Sequence, residues 1–395
     1  MTATTLALAG RMHQLGTESA FEVLARAAAL QRQGRDIINL GIGQPDFPTP
    51  PHIVAAGQKA LADGHHGYTP ANGILPLREA VAADLHRRHR VDVSPERVLV
   101  VPGGKVTMFF AMLIFGEPGA EIIYPNPGFP IYESVIRFSG ARPVPMPIHE
   151  AAGFSFNAEE VLGLITPNTR LLIVNSPANP TGGAVPRAEM DKLAAGLARH
   201  PRVAILSDEI YGEMLYDGQK HVSLLGYPEL RERLILLDGW SKTYAMTGWR
   251  LGYGVWPEAL FPYAERLAIN CHSCVNAAAQ FAGLAALEGP REPVDRMVKA
   301  FAERRAYIVP ALNRLPGFRC ANPGGAFYAF PNIEGTGMDS RSLQTRLLEE
   351  AGVATVSGTS FGEYGSGYVR FSYAASLGAL KSAMARIEDW LREKR

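Results

Sequence analysis

The chain has 395 residues, enough for two domains with cores of their own, and its 39 basic and 38 acidic side chains leave a net charge of +1. That balance gives no bulk electrostatic reason to bind nucleic acid or an anionic membrane surface. The first ten residues carry no lysine or arginine, no apolar run reaches the ~18 residues of a membrane span, and the expected setting is the cytoplasm.

Residues 18–32, rich in Ala and Leu, read as a helix stopped by Gly34. Residues 36–40 read as a short strand feeding Gly41-Ile42-Gly43-Gln44-Pro45-Asp46-Phe47-Pro48, a loop of turn formers. Its Gly-x-Gly makes no dinucleotide fingerprint, because Asp46 stands at the third glycine position and prolines follow. From residue 51 to about 288, short apolar runs alternate with helical patterns. Runs at 98–101, 121–124, 171–174, 203–206 and 234–237 lack polar alternation, as strands buried on both faces do. Helices over 75–89 and 190–200 separate some of them, which predicts an α/β sheet covered on both sides.

After Gly289-Pro290 the pattern changes to a charged helix over 292–315, a strand over 324–330, a helix over 340–351, short strands, and a closing helix from Leu377. The predicted division is a large domain over 49–288 and a small α+β domain over 289–395, joined by the N-terminal segment 1–48. Repeats and low-complexity tracts are absent from the sequence. Three cysteines argue against a disulfide framework. Cys271-His272-Ser273-Cys274 has C-x-x-C spacing, but no second ligand pair follows for zinc, and a long helix is predicted around it. Buried or half-buried thiols are the expectation, with no metal site.

Several segments carry chemistry. Lys242 follows the apolar run 234–237, within Gly239-Trp240-Ser241-Lys242-Thr243-Tyr244-Ala245-Met246-Thr247-Gly248-Trp249-Arg250. Asp208 ends the predicted strand 203–207, on the rim where an open α/β sheet puts its ligands. Residues 98–101, then Pro102-Gly103-Gly104-Lys105 and the helical 106–115, make a strand, a glycine turn and a helix start, which is an anion seat. It is not a P-loop, since Leu99 stands where that motif needs its first glycine. Asn179 lies in Asn-Pro-Thr-Gly, and Tyr211 three residues beyond Asp208; Arg370 sits on an apolar strand near the C-terminus. Alone, each has a plain reading: a surface lysine, a helix cap, a turn or a structural ion pair.

Together these segments, from about residue 39 to about 376, resemble the class I/II aminotransferases, enzymes of the pyridoxal-phosphate fold type I, and within them the aspartate aminotransferase-like branch. The resemblance implies a three-layer large domain with a mostly parallel sheet, and pyridoxal 5'-phosphate as cofactor. It implies that Lys242 forms an imine with the cofactor and carries the substrate proton, and that Asp208 keeps the pyridine nitrogen protonated. Tyr211 and Asn179 would donate to the ring oxygen, and Phe129 would stack on the ring. Gly104, Lys105, Ser241 and Arg250 would hold the phosphate, with Tyr68 reaching over from a partner subunit. Many relatives place a serine three residues before the lysine; Gly239 stands there, which leaves Ser241 to supply the hydroxyl. Arg370, with Gly43 and Asn179, would bind the α-carboxylate. Lys105 has a second reading, as the contact for a substrate's distal carboxylate, which favours acidic amino acids with glutamate and 2-oxoglutarate as one pair; aromatic and aliphatic amino acids stay open.

The implied activity is ping-pong transamination by a homodimer with shared sites. A β-lyase uses the same Lys, Asp and Arg and differs in which bond to Cα is broken. A cofactor-sensing regulator would need a DNA-binding module ahead of the Gly41 loop, where only about 40 residues stand, so neither nucleic acid nor membrane is an expected partner.

Overall fold

The computed structural model describes residues 6–393, so residues 1–5 and 394–395 of the predicted divisions lie outside it. The largest sheet has seven strands in the order β2-β8-β7-β6-β5-β3-β4. Here β1 is Ile38–Asn39, β2 Val98–Val101, β3 Glu121–Asn126, β4 Arg142–Pro147, β5 Thr169–Asn175, β6 Ala204–Asp208, β7 Leu234–Gly239 and β8 Gly252–Val255. Strands β4, β3, β5, β6 and β7 are mutually parallel, and β8 runs antiparallel between β7 and β2.

Alternation of side chains along each strand splits the apolar runs between two cores. Val98, Val100, Leu172, Val174, Leu234 and Leu236 pack on one face with Leu77, Val81 and Leu85 of helix Leu75–His89. Leu99, Val101, Leu171, Ile173, Ile235 and Leu237 pack on the other with Met108 and Met112 of helix Lys105–Phe115. Burial on both faces is why these runs show no polar residue. The five runs read as strands all join this sheet. Two further strands do not carry that signal: β4 is Arg-Pro-Val-Pro-Met-Pro, tolerated because it is an edge, and β8 is Gly-Tyr-Gly-Val.

The remaining strands are β9 Tyr328–Ala329, β10 Val353–Ala354, β11 Val356–Ser357 and β12 Val369–Ser372. β1 pairs in parallel with β10, and β11-β12-β9 form an antiparallel sheet. A third core lies here, built from Phe301 and Leu312 of helix Glu292–Arg314, Leu343 and Leu347 of Ser340–Glu349, and Leu380 and Ile387 of Leu377–Glu393.

Two expectations need correction. The strand read over 324–330 is a ladder only at Tyr328–Ala329, because Ala326 adopts φ 55 and the Gly325 and Ala326 N–H groups donate to Gly182 and Met214 instead. The Cys-His-Ser-Cys motif lies at a joint, not inside a helix: Phe261–His272 ends there, Ser273 has φ 62, and the next helix starts at Ala277. Cys271 is exposed and Cys274 half-buried, so the expectation of buried thiols fails at Cys271. Among the described residues no helix is long and apolar enough to cross a membrane, and no three His, Cys, Asp or Glu side chains group to hold a metal ion.

Candidate active site

The parallel strands end on one rim of the large sheet, and that rim opens into a cavity of about 620 Å³. Residues just past strand ends are placed by the sheet yet free to meet a ligand. Asn175 closes β5, Asp208 closes β6, and Gly239 closes β7 before the short helix Trp240–Thr243 that carries Lys242. Gly43, Tyr328 of β9 and Arg370 of β12 also line the cavity.

The Lys242 amine donates to the Gly43 carbonyl at 2.6 Å. Burial first, and the Arg370 charge second, bring its pKa down from the usual lysine range to about 8. The unprotonated amine, which a nucleophile requires, is therefore populated nearer neutral pH than an ordinary lysine allows. Gly43 is a close approach: a Cβ there would lie 2.2 Å from the Tyr328 hydroxyl, which pairs with the Tyr211 hydroxyl at 2.8 Å.

Asp208 is buried, and its Oδ2 accepts from the Tyr132 hydroxyl at 2.7 Å while Oδ1 accepts from the Ile210 N–H at 3.2 Å. Burial raises its pKa to about 6, against the pull of those two bonds. Among the described residues no lysine or arginine bonds to it. A carboxylate sealed in with neutral donors is a seat for a cation or a proton.

Arg370 is buried as well, donating from Nη1 to Asn179 Oδ1 at 2.7 Å and from Nη2 to the Gly41 carbonyl at 2.5 Å. Its Nε finds no partner among the described residues, and its Cζ lies 4.6 Å from the Tyr328 ring centre and 4.8 Å from that of Phe361. A guanidinium so placed keeps donor capacity for an anion. The Asn179 N–H donates to Asn175 Oδ1 at 3.1 Å, and Asn175 Nδ2 donates to the Asp208 carbonyl at 3.1 Å. Arg370 and Asp208 are thus the ends of one hydrogen-bonded chain.

The strand, glycine turn and helix start form as the sequence suggests. Helix Lys105–Phe115 begins after Gly104, and its first N–H groups have no intrahelical acceptor. Arg250, at φ 53, donates to the Thr247 carbonyl at 2.8 Å and lies over Gly103. Gly103 has φ +93, which favours glycine, and a Cβ on it would come 2.1 Å from the Arg250 guanidinium and displace it. Lys105, Lys242, Arg250 and Arg370 line the cavity against Glu18 and Asp208, an excess of cations suited to an anionic ligand.

Gly43, Gly104, Lys105, Phe129, Asn179, Asp208, Tyr211, Ser241, Lys242, Arg250 and Arg370 all line this one cavity. Tyr68 does not, and is 92% exposed. Lys105 is paired with Glu18, and its ammonium lies 5.3 Å from the Phe129 ring centre. Sequence reasoning missed Glu18, Tyr132 and Tyr328 as lining residues; each makes its contact with a residue far away in sequence, and no local motif marks it.

An amine with a lowered pKa, a buried acid and a cation-lined helix start share one cavity, a combination suited to amine–carbonyl chemistry. The chain belongs to the family described as aminotransferase class I and II, whose model matches residues 35–387. It is 38% identical over 390 residues to the aspartate aminotransferase of Geobacillus stearothermophilus, covering 97% of this chain and 98% of that one. It is 37% identical over 362 residues to aromatic-amino-acid aminotransferase 2 of Thermococcus litoralis, covering 91% and 92%. The solved aspartate aminotransferase of Rhizobium meliloti matches with a TM-score of 0.93 and 34% identity, covering 98% of this chain and 99% of that one. The fold is fold type I, the activity is amino-acid transamination, and the cofactor is pyridoxal 5'-phosphate. The cavity fits that group: its cationic rim suits a phosphate, and Asp208 has no cationic side chain of its own to neutralise.

Proposed function

We propose that the enzyme moves the amino group of an L-amino acid to a 2-oxo acid in two half-reactions, with L-glutamate and 2-oxoglutarate as one pair and aspartate, or a broader set, as the other. The observation that carries this reading is the single cavity shared by the Lys242 amine and the half-satisfied Arg370 guanidinium. An α-carboxylate on Arg370 presents an amino acid's α-carbon to the amine.

Bound pyridoxal phosphate supplies a carbonyl carbon for the amine and a ring that takes up the electron pair left at the substrate α-carbon. Asp208 holds a proton at the ring nitrogen. Tyr211 and Asn179 donate to the ring oxygen, and Phe129 covers a ring face. Gly104, Ser241 and Arg250 hold the phosphate, completed by Tyr68 of the partner subunit. Arg370, Gly43 and Asn179 fix the α-carboxylate and so orient the Cα–H bond. Lys242 Nζ, so placed, would take the proton from Cα and hold it for return. Lys105 faces the distal end of the substrate.

A homodimer follows from the same reading. Exposure of Tyr68 at 92%, with Leu61, Tyr263 and Ile269 each above half, supports a covered face. The large domain over 49–288, the small domain over 289–395 with segment 1–48 attached to it, and a cytoplasmic setting belong to the proposal too. The β1–β10 pairing and the three free thiols support them.

The test is the absorption spectrum of the holoenzyme. Adding L-glutamate without oxo acid should replace the visible cofactor band with an ultraviolet one, and 2-oxoglutarate should restore it. An unchanged band with both L-glutamate and L-aspartate would overturn the substrate assignment. Activity that survives as a monomer in sedimentation would overturn the shared site.

A further inference from the structure

Asp208 and Glu18 are the acids lining the cavity, and the roles above leave Glu18 unused. It immediately precedes helix Ser19–Arg32, yet its side chain does not cap that helix. Its Oε1 instead accepts from Lys105 Nζ, forming an ion pair between residues 87 positions apart. The approach is held from the neighbouring turn: the Gly16 N–H donates to Ser134 Oγ at 2.8 Å, and that hydroxyl donates back to the Gly16 carbonyl at 3.4 Å. The pair is partly open to solvent, with 15% of the Glu18 side chain and 44% of Lys105 exposed. The Glu18 charge also opposes the lowering of the Lys242 and Arg370 pKa values, so its field reaches both groups that engage an amino acid.

We propose that Glu18 is a specificity-determining residue, an internal stand-in for a substrate's distal carboxylate. It neutralises Lys105 while a neutral amino acid occupies the cavity and gives Lys105 up to a dicarboxylate in the other half-reaction. This rests on reading the cavity as the amino-acid site with Lys105 at its distal end. A distal carboxylate meets Glu18 as a like charge, which disfavours acidic substrates until the pair opens. An uncharged side chain leaves the pair closed and meets a locally neutral wall instead of a bare ammonium. The exchange is feasible because a partly exposed ion pair is weak, whereas a fully buried one would resist opening.

The experiment compares holoenzyme with Glu18→Gln, Lys105→Met and the double variant. Half-reaction kcat/KM for L-glutamate and L-alanine is followed by cofactor absorbance, and succinate Kd by calorimetry. Glu18→Gln should raise kcat/KM for glutamate and tighten succinate about tenfold, while alanine slows, since Lys105 then faces it unpaired. Lys105→Met should shift the glutamate-to-alanine ratio the other way, and on that background Glu18→Gln should no longer move it. Equal loss on both amino acids with weaker succinate would show that Glu18 only positions its segment, which overturns the inference. A ratio unmoved by Lys105→Met would overturn the distal reading of Lys105 and the inference with it. A ratio moved by Lys105→Met but not by Glu18→Gln would overturn the inference alone.

Discussion

The Tyr132 hydroxyl donates to Asp208 Oδ2 at 2.7 Å, so a buried phenol stabilises the charged form of the acid at the sheet rim. That acid has its pKa raised to about 6 by burial, so without cofactor it gains a proton as pH falls through that value. Affinity of the apoenzyme for pyridoxal phosphate should therefore weaken below about pH 6. Tyr132→Phe removes a bond that favours the carboxylate, and should move this limb to higher pH. Titrating cofactor into both proteins across pH 5 to 8, by fluorescence, checks the direction; a limb that stays put would remove Tyr132 from the account. Asp208→Asn should lower kcat by about 10²–10³-fold, because a neutral amide cannot hold the ring proton.

Lys242 carries the opposite shift, with its pKa lowered to about 8, so the charged amine is disfavoured in the folded protein. Between pH 8 and the ordinary lysine range the unfolded chain binds more protons, and the apoenzyme gains stability from this group as pH rises. Lys242→Met should abolish that gain and stabilise the apoenzyme at pH 7 by on the order of 1–3 kcal/mol, while lowering turnover by about 10²–10⁴-fold or more. Urea denaturation of both apoproteins at pH 7 and pH 9 reads the first effect; a variant no more stable at pH 7 would contradict it.

Arg370 donates from two nitrogens to fixed oxygens, and its planar fork would let the remaining edge meet the carboxylate of the proposed substrate. Arg370→Lys keeps the charge and loses the fork. The expected result is a fall of about 10²-fold in kcat/KM for every amino acid, acidic or neutral, with cofactor affinity little changed. Steady-state kinetics with glutamate and alanine separate this from a distal-pocket effect, which would be selective.

The fold was legible where one physical signal dominated. Strands β5, β6 and β7 are buried on both faces, and their Leu-, Ile- and Val-rich runs announce it. β4 stayed hidden because its three prolines read as loop, and only its edge position makes them tolerable. In the candidate site, Lys242, Asp208, Asn179 and Arg370 sit in recognisable segments, and their convergence on one cavity followed. Tyr132 and Glu18 do not: their partners lie 76 and 87 residues away, and packing alone makes those contacts. The Cys271–Cys274 joint was misread because apolar spacing continues through it, while the break is set by Ser273 at φ 62.

Gly43 makes a sharper prediction than its size suggests. Gly43→Ala would put a methyl 2.2 Å from the Tyr328 hydroxyl unless that ring moves, separating it from Tyr211. Overpacking of this kind destabilises by about 1–3 kcal/mol. A lower melting temperature with a raised KM is the expected outcome. Gly43→Ala combined with Tyr328→Phe, which removes the clashing oxygen, should recover most of the stability.

The chain of bonds from Arg370 through Asn179 and Asn175 to the Asp208 carbonyl joins positions far apart in sequence. On the proposed roles it works as a locked calliper: the jaw for a carboxylate at Arg370 and the jaw for a ring nitrogen at Asp208 cannot drift apart independently. The gauge between them is cut into the protein before either ligand arrives, so on the proposed reading an amino acid whose acid group sits one carbon too far from its amine should bind poorly without any clash.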